Sequence, residues 1–284
     1  MKLRPSRRQV LAGMLGAIAG GGAAHATTRG RDHFEQTQTD LWLPGIDDAH
    51  DGLRIGQLSD VHVGLSTPES RIRAAVERLN EAKPDLVFLT GDYVTHSERP
   101  VPQVPLALGG ICAPVFVVLG NHDHWVNAPA LREGFERLGY TVLQNAHTVT
   151  RARGRSLTVL GVDDGRSGHD DVAQTFRGAR PDGTRLVLTH APPTADKLPP
   201  DGNLACFSGH THGGQVAVPK VTEAVMRRAG QPYVAGLYRT SGNNLLYVNR
   251  GLGFGRGGFA FRVRSDPELS WFTLRKKAPG GQES

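Results

Sequence analysis

Apolar residues in this chain gather into short runs, each closed by a turn rich in glycine, aspartate, asparagine or histidine. Five such runs predict strands over residues 53–59, 85–90, 115–119, 185–189 and 204–208. Between the first two, Thr67-Pro68-Glu69 supplies an N-cap, a proline at the first helical position and an early acid. Ile72, Val76 and Leu79 then recur at helical spacing as far as Lys83-Pro84. A second helix is expected over residues 130–138, and late strands over 233–239, 245–249 and 269–274. The expected fold class is α/β, with two mixed β-sheets packed face to face and flanked by helices. One domain over residues 53–275 accounts for the periodic sequence. Residues 27–52 read as a linker with a lead-in strand, residues 276–284 as a disordered tail, and no internal repeat interrupts the pattern.

The turns that close these runs are chemically selective. They carry Asp60-Val61-His62, Gly91-Asp92, Gly120-Asn121-His122-Asp123, His190 and Gly209-His210-Thr211-His212. In an α/β sheet the C-terminal strand ends face one crevice, so these carboxylates, amides and imidazoles converge. Glycines at 91, 120 and 209 let the backbone approach without a Cβ in the way. Such a donor set suits two divalent ions sharing a carboxylate, and two metals about 3.5 to 4 Å apart can activate water and clamp an in-line displacement at phosphorus. Imidazole and carboxylate donors suit Mn, Fe, Zn or Ni, and the lack of thiolates argues against a soft-metal site. Taken singly, each string is a turn or helix cap; taken together they outweigh that reading.

The ordered pattern D-x-H, GD, GNH[DE], H and GHxH resembles the calcineurin-like metallophosphoesterase family. The longer strings Gly120 to Trp125, Gly209 to Gln215 and Val248 to Gly253 are similar to its bacterial YkuE/YaeI-type phosphodiesterase branch. The resemblance spans about residues 53–274. It implies that Asp60, His62 and His212 hold one metal, that Asn121, His190 and His210 hold the other, and that Asp92 bridges them. It further implies a hydroxide bridging the metals as nucleophile and His122 as the group assisting the leaving oxygen. Asp123, next to His122, is expected to fix its tautomer and raise its pKa. Arg250 is a candidate for stabilising developing charge. His124 and Trp125 either line the substrate pocket or, for the Trp, cap the core. The implied enzyme is a phosphodiesterase or pyrophosphatase; a phosphomonoesterase with the same core and a non-catalytic metal-binding protein are the alternatives.

The N-terminal residues address location. Ser6-Arg7-Arg8 precedes a glycine-rich apolar stretch and the small-x-small site Ala24-His25-Ala26, the form of a twin-arginine signal over residues 1–26. Export by the twin-arginine machinery to the periplasm or cell surface is therefore expected, with an uncleaved anchor as the alternative. Removing that segment, which holds Lys2, Arg4, Arg7 and Arg8 and no acid, lowers the formal net charge from +6 to +2. A nucleic-acid partner is not expected.

Three further features are less directive. If both segments are extended, Cys112 and Cys206 lie roughly 30 and 13 Å from a common centre, too far apart for a disulfide, and free, buried thiols are expected unless the Ala113-Pro114 turn folds the first one back. His33, His50, His96, His147 and His169 sit in polar stretches and are expected in solvent. Val221, Val225 and Met226 share a helical face beside Arg227 and Arg228, which fits either core packing or peripheral contact with a membrane and a lipid-linked substrate.

Overall fold

The structure, a computed structural model, describes residues 32–64, 67–200, 202–215, 217–218, 221–254, 262 and 264–276. The expected signal and most of the expected tail lie outside these residues. The strands, in chain order, are β1 (Glu35–Leu43), β2 (Arg54–Leu58), β3 (Leu86–Thr90), β4 (Val115–Val118), β5 (Thr141–Val142), β6 (Ala146–Ala152), β7 (Arg155–Gly161), β8 (Arg185–Leu188), β9 (Leu204–Ser208), β10 (Gly236–Arg239), β11 (Leu245–Val248) and β12 (Glu268–Lys276). They form two mixed sheets of six strands, in the orders β1-β12-β2-β3-β4-β5 and β10-β11-β9-β8-β7-β6. The helices are α1 (Glu69–Ala82), α2 (Val104–Leu108), α3 (Asn121–Val126), α4 (Ala128–Arg137), α5 (Val172–Phe176) and α6 (Val221–Arg228).

The sandwich follows from runs that are apolar on both faces. In β3, Leu86 and Phe88 face the second sheet while Val87 and Leu89 face the helices; in β9, Ala205 and Phe207 face inward and Leu204 and Cys206 outward. The layer between the sheets is aromatic at its centre. Phe207 meets Phe88 and Phe272 edge to face, each with ring centroids 4.9 Å apart. The outer face of the first sheet is covered by α1, α2 and α4 through Ile72, Leu79, Val104, Leu131 and Phe135. The outer face of the second is covered mainly by the 3-10 turn Pro192–Lys197 and flanking loops rather than by long helices.

Several details depart from expectation. Within residues 27–52 a strand stands at 35–43, longer than a short lead-in: β1 pairs in parallel with β12 along nine residues, and its alternating exposure marks a half-buried edge strand. Pro68, with extended φ and ψ, is itself the cap of α1, so the helix starts one residue later than Thr67 would place it. Lys276 ends β12 instead of opening a tail. His50 is fully buried, its Nδ1 2.8 Å from Thr184 Oγ1, because the turn after β1 folds back over the second sheet. Cys206 is buried as expected, but Cys112 is exposed in the turn before β4; both are free thiols. No residue of α6 is buried, which removes the core-packing reading of its apolar face.

Candidate metal centre

The loops after β2, β3, β4, β8 and β9 bring the expected residues together at the C-terminal edges of both sheets. The donor atoms of Asp60, His62 and His212 lie within 4.8 Å of one another, as do those of Asp92, His190 and His210. His62 Nε2 is 3.2 Å from His212 Nε2, which is 3.2 Å from Asp60 Oδ1. His190 Nε2 is 3.2 Å from both His210 Nδ1 and Asp92 Oδ2. Facing imidazole nitrogens can share only one proton, so each pair is better served by a cation between its lone pairs. Asn121 Oδ1 is buried with no hydrogen-bond partner among the described residues. A buried amide oxygen left unpaired is costly, and a metal ion relieves it. The donor set therefore fits two divalent cations.

Backbone geometry aims these groups. Asp60, His62, Asp92, His210 and His212 all have φ between 48 and 72°, the left-handed region that non-glycine residues seldom enter. Strain gathered at one place points to a functional constraint. Gly91, at φ 91°, allows the sheets' loops to close: a Cβ there would stand 2.7 Å from both Gly120 N and His190 Nδ1. Asp60 is steadied by the Ser59 hydroxyl at 2.6 Å and the His210 N–H at 2.9 Å. His62 Nδ1 lies 3.1 Å from the Val94 carbonyl and His190 Nδ1 2.8 Å from that of Thr90, fixing which ring nitrogen faces the site. The string Asn249 to Gly253 braces the Asp60 loop from below, where the Leu252 and Gly253 N–H groups donate to the carbonyls of Ser59 and Asp60.

Burial pushes His62 and His210 down to about 4, leaving both rings neutral at pH 7, the state that ligates. Burial, with Arg262 beside it, also holds His212 well below its ordinary value. Desolvation raises Asp60. Burial opposes the charge of Asp92, yet the His190 and His62 imidazoles outweigh it and hold this carboxyl below the usual range. The converse pull of Asp92 overcomes burial at His190 and lifts it well above its ordinary value.

Asp123 does not touch the His122 ring. Its carboxylate accepts from the N–H groups of Asp92, Tyr93 and Gly120, each at 2.8 Å, and of Val94 at 3.3 Å. Burial and the neighbouring Asp92 charge push it up to about 7, while these four donors favour the anion. The His122 tautomer is set instead by the Thr95 carbonyl, 2.5 Å from Nδ1. The His122 ring stands between those of His96 at 4.7 Å and Trp125 at 5.0 Å, and Trp125 is 57% exposed, so it does not cap the core. His124 Nε2 is 2.7 Å from Asp163 Oδ1, an interaction that overcomes burial and raises its pKa, and its ring stacks on His169 at 4.0 Å. His96 and His169 are exposed but not isolated. Arg250 donates to Glu268 at 2.7 Å and to Glu35 at 2.9 Å, so its charge is already matched.

Two groups escaped the sequence reading. Buried Arg262 places Nη2 2.9 Å from His212 Nδ1; a lone arginine in a glycine-rich stretch gave no signal. Asp163 and Asp164 follow β7 and are buried. The run Leu157 to Val162 ending in two aspartates repeats the pattern of the other five strands and could have revealed them.

Residues 53–214 match the calcineurin-like phosphoesterase family. The chain is 31% identical to the metallophosphoesterase YkuE of Bacillus subtilis, over 95% of this chain and 98% of that one. It is 33% identical to the phosphodiesterase YaeI of Escherichia coli, covering 76% and 80%. It is 25% identical to the UDP-2,3-diacylglucosamine pyrophosphatase LpxG of Chlamydia trachomatis, covering 77% and 82%. The chain belongs to the calcineurin-like phosphoesterase family. Its class of reaction is phosphoric ester hydrolysis.

The position of Asp123 predicts that Asp123→Asn, which turns one acceptor into a donor facing N–H groups, lowers stability by about 2–3 kcal/mol. Metal retention falls with it because the Asp92 turn loosens. Thermal unfolding and metal analysis of the purified variant check this; unchanged values in both refute it.

Proposed function

We propose that this protein is an exported, dinuclear-metal phosphodiesterase or pyrophosphatase. The observation that carries the reading is the pair of facing imidazole sets beside a shared carboxylate and an unpartnered asparagine oxygen. Asp60, His62 and His212 would hold one cation, Asn121, His190 and His210 the other, and Asp92 both. Two such cations supply Lewis acidity and an activated water for in-line attack at phosphorus. His122, as an imidazolium whose Nδ1–H is held by the Thr95 carbonyl, gives its Nε2 proton to the leaving oxygen. Asp123 keeps the Asp92 and Asn121 turns in register, and His124 and Trp125 border the leaving-group side. The activities for which YaeI and LpxG are named support a diester or pyrophosphate linkage.

A lipid-linked substrate and contact with an anionic membrane surface belong to the same reading. Thr222 of α6 lies against Gly214, two residues beyond His212. The helix leaves Val221 and Val225 each 58% exposed beside Arg227 and Arg228, the make-up of an interfacial helix. No described helix is long and apolar enough to cross a membrane.

Three experiments test this reading. Asp92→Asn should lose metal and activity together, whereas His122→Ala should keep two metals and lose about 10²- to 10⁴-fold in turnover. That loss should be larger on an alkyl diester than on a nitrophenyl diester, whose leaving oxygen needs little protonation. Full turnover of Asp92→Asn excludes the metal assignment, and metal loss in His122→Ala makes that residue a ligand. Replacing Arg7 and Arg8 together by lysine should hold the precursor in the cytoplasm; normal export of the double variant refutes the twin-arginine route. Val221→Asp with Val225→Asp should abolish co-sedimentation with anionic phospholipid vesicles while sparing hydrolysis of a soluble diester, and unchanged vesicle binding rejects the α6 surface.

A further inference from the structure

The centre is assembled from both sheets. Asn121 and His122 stand on α3, which follows β4 of the first sheet, whereas His190 and His210 follow β8 and β9 of the second. A proton donor on one sheet serves a reaction organised from the other only while the distance between them is fixed, and an error of about 1 Å can cost about 10²-fold. On the first-sheet side, His122 is tied by its N–H to Asp92 Oδ1 at 2.9 Å and by Nδ1 to the Thr95 carbonyl. Toward the second sheet α3 reaches out through His124, whose Nε2 donates to Asp163 Oδ1 at 2.7 Å. These two side chains are only 8% and 5% exposed, so water competes little for the pair.

Asp163 is itself held from several sides. Its Oδ1 also accepts from the Asp164 N–H at 2.8 Å, its Oδ2 from Gln144 Nε2 at 3.3 Å, and its N–H donates to Asn145 Oδ1 at 3.0 Å. The same Asn145 side chain takes the Asp171 N–H at 2.8 Å and gives to the His169 carbonyl at 2.7 Å, closing residues 163–171 into a loop with a fixed base. From that loop His169 lays its ring on His124, with 4.0 Å between centroids and 9° between planes. Asp170 pairs with Lys197 in the turn that follows His190, so the loop is also joined to a ligand-bearing segment of the second sheet.

We propose that Asp163 acts through His124 as a positioning residue that sets the reach of His122 toward the leaving oxygen. Neither Asp163 nor His124 belongs to the ligand groups, so their loss misplaces the proton donor and leaves the metals where they are. The proposal rests on the reading of His122 as proton donor and names what holds it in range.

Asp163→Asn and His124→Ala, each assayed as metal-loaded protein on an alkyl diester and a nitrophenyl diester, test it. Both should keep two metals and a KM within about twofold. Both should lose about 10-fold in kcat on the alkyl diester and less than about twofold on the nitrophenyl diester, whose leaving oxygen needs little protonation. The double variant should lose no more than either single one, since the same interaction is removed once. His124→Gln, whose amide N–H can stand where Nε2–H stood, should recover most of the alkyl-diester rate. Equal losses on the two esters mark a merely structural role and overturn the proposal, as do unaltered rates, additive losses, lost metal or no recovery with glutamine. Those results leave the reading of His122 standing as long as His122→Ala shows the leaving-group dependence; a His122→Ala variant without it removes both. If Asp163→Asn fails to fold, the two His124 variants decide.

Discussion

The centre of this protein depends on a carboxylate that belongs to neither ligand group. Asp123 sits in the first turn of α3 and gathers N–H donors from the loop after β3 and from Gly120 after β4. Without that anion, two adjacent turns would each bury unpaired donors, and neither would have reason to adopt the left-handed φ that aims Asp92. The sheets bring the strand ends to the same edge. Fixing side-chain direction within a few tenths of an ångström is the work of charge-assisted hydrogen bonds like these.

The same division of labour explains what is legible in the sequence. Strands β2, β3, β4, β8 and β9 are legible because each is a short apolar run that stops at a distinctive polar string. The expected ligands are legible because the strings fall in order. Edge strand β1 is legible only as a lead-in strand, without its bounds or its place: its polar, alternating residues acquire a partner from β12, more than two hundred positions away. Asp123 stands out as a site residue but its contact does not, since adjacency to His122 in sequence says nothing about side-chain direction across a helical turn. His50 looks like surface in its polar neighbourhood, yet a fold-back over the second sheet supplies a hydroxyl and a carbonyl that make its burial tolerable.

Arg250 shows how a motif shapes a site through its packing. Its string lies between two polar networks. Asn249 Nδ2 donates to Ser270, and Glu268 accepts from Arg250, Tyr247 and Ser270. Burial and the Glu268 charge push the Tyr247 phenol up to about 12, so it remains a donor at any physiological pH. The network fixes Gly251 under Asp60, where an added Cβ would come within 2.6 Å of the aspartate Cβ. The string is thus a floor for the first ligand loop.

The position of β12 in the first sheet has a kinetic consequence. It lies between β1 and β2, antiparallel to the strand that carries Asp60 at its end. As the chain leaves the ribosome, β2, β3 and β4 can pair early through parallel contacts. The free edge of β2 and all of β1 must wait until the last sheet residues emerge. Long-range pairing of this kind is slow to form, and open edges invite association with other chains in the interval. The half-made sheet is therefore the stage at which a nascent chain of this design most needs a holdase, and closure by β12 comes after the strands bearing every expected ligand have been synthesised.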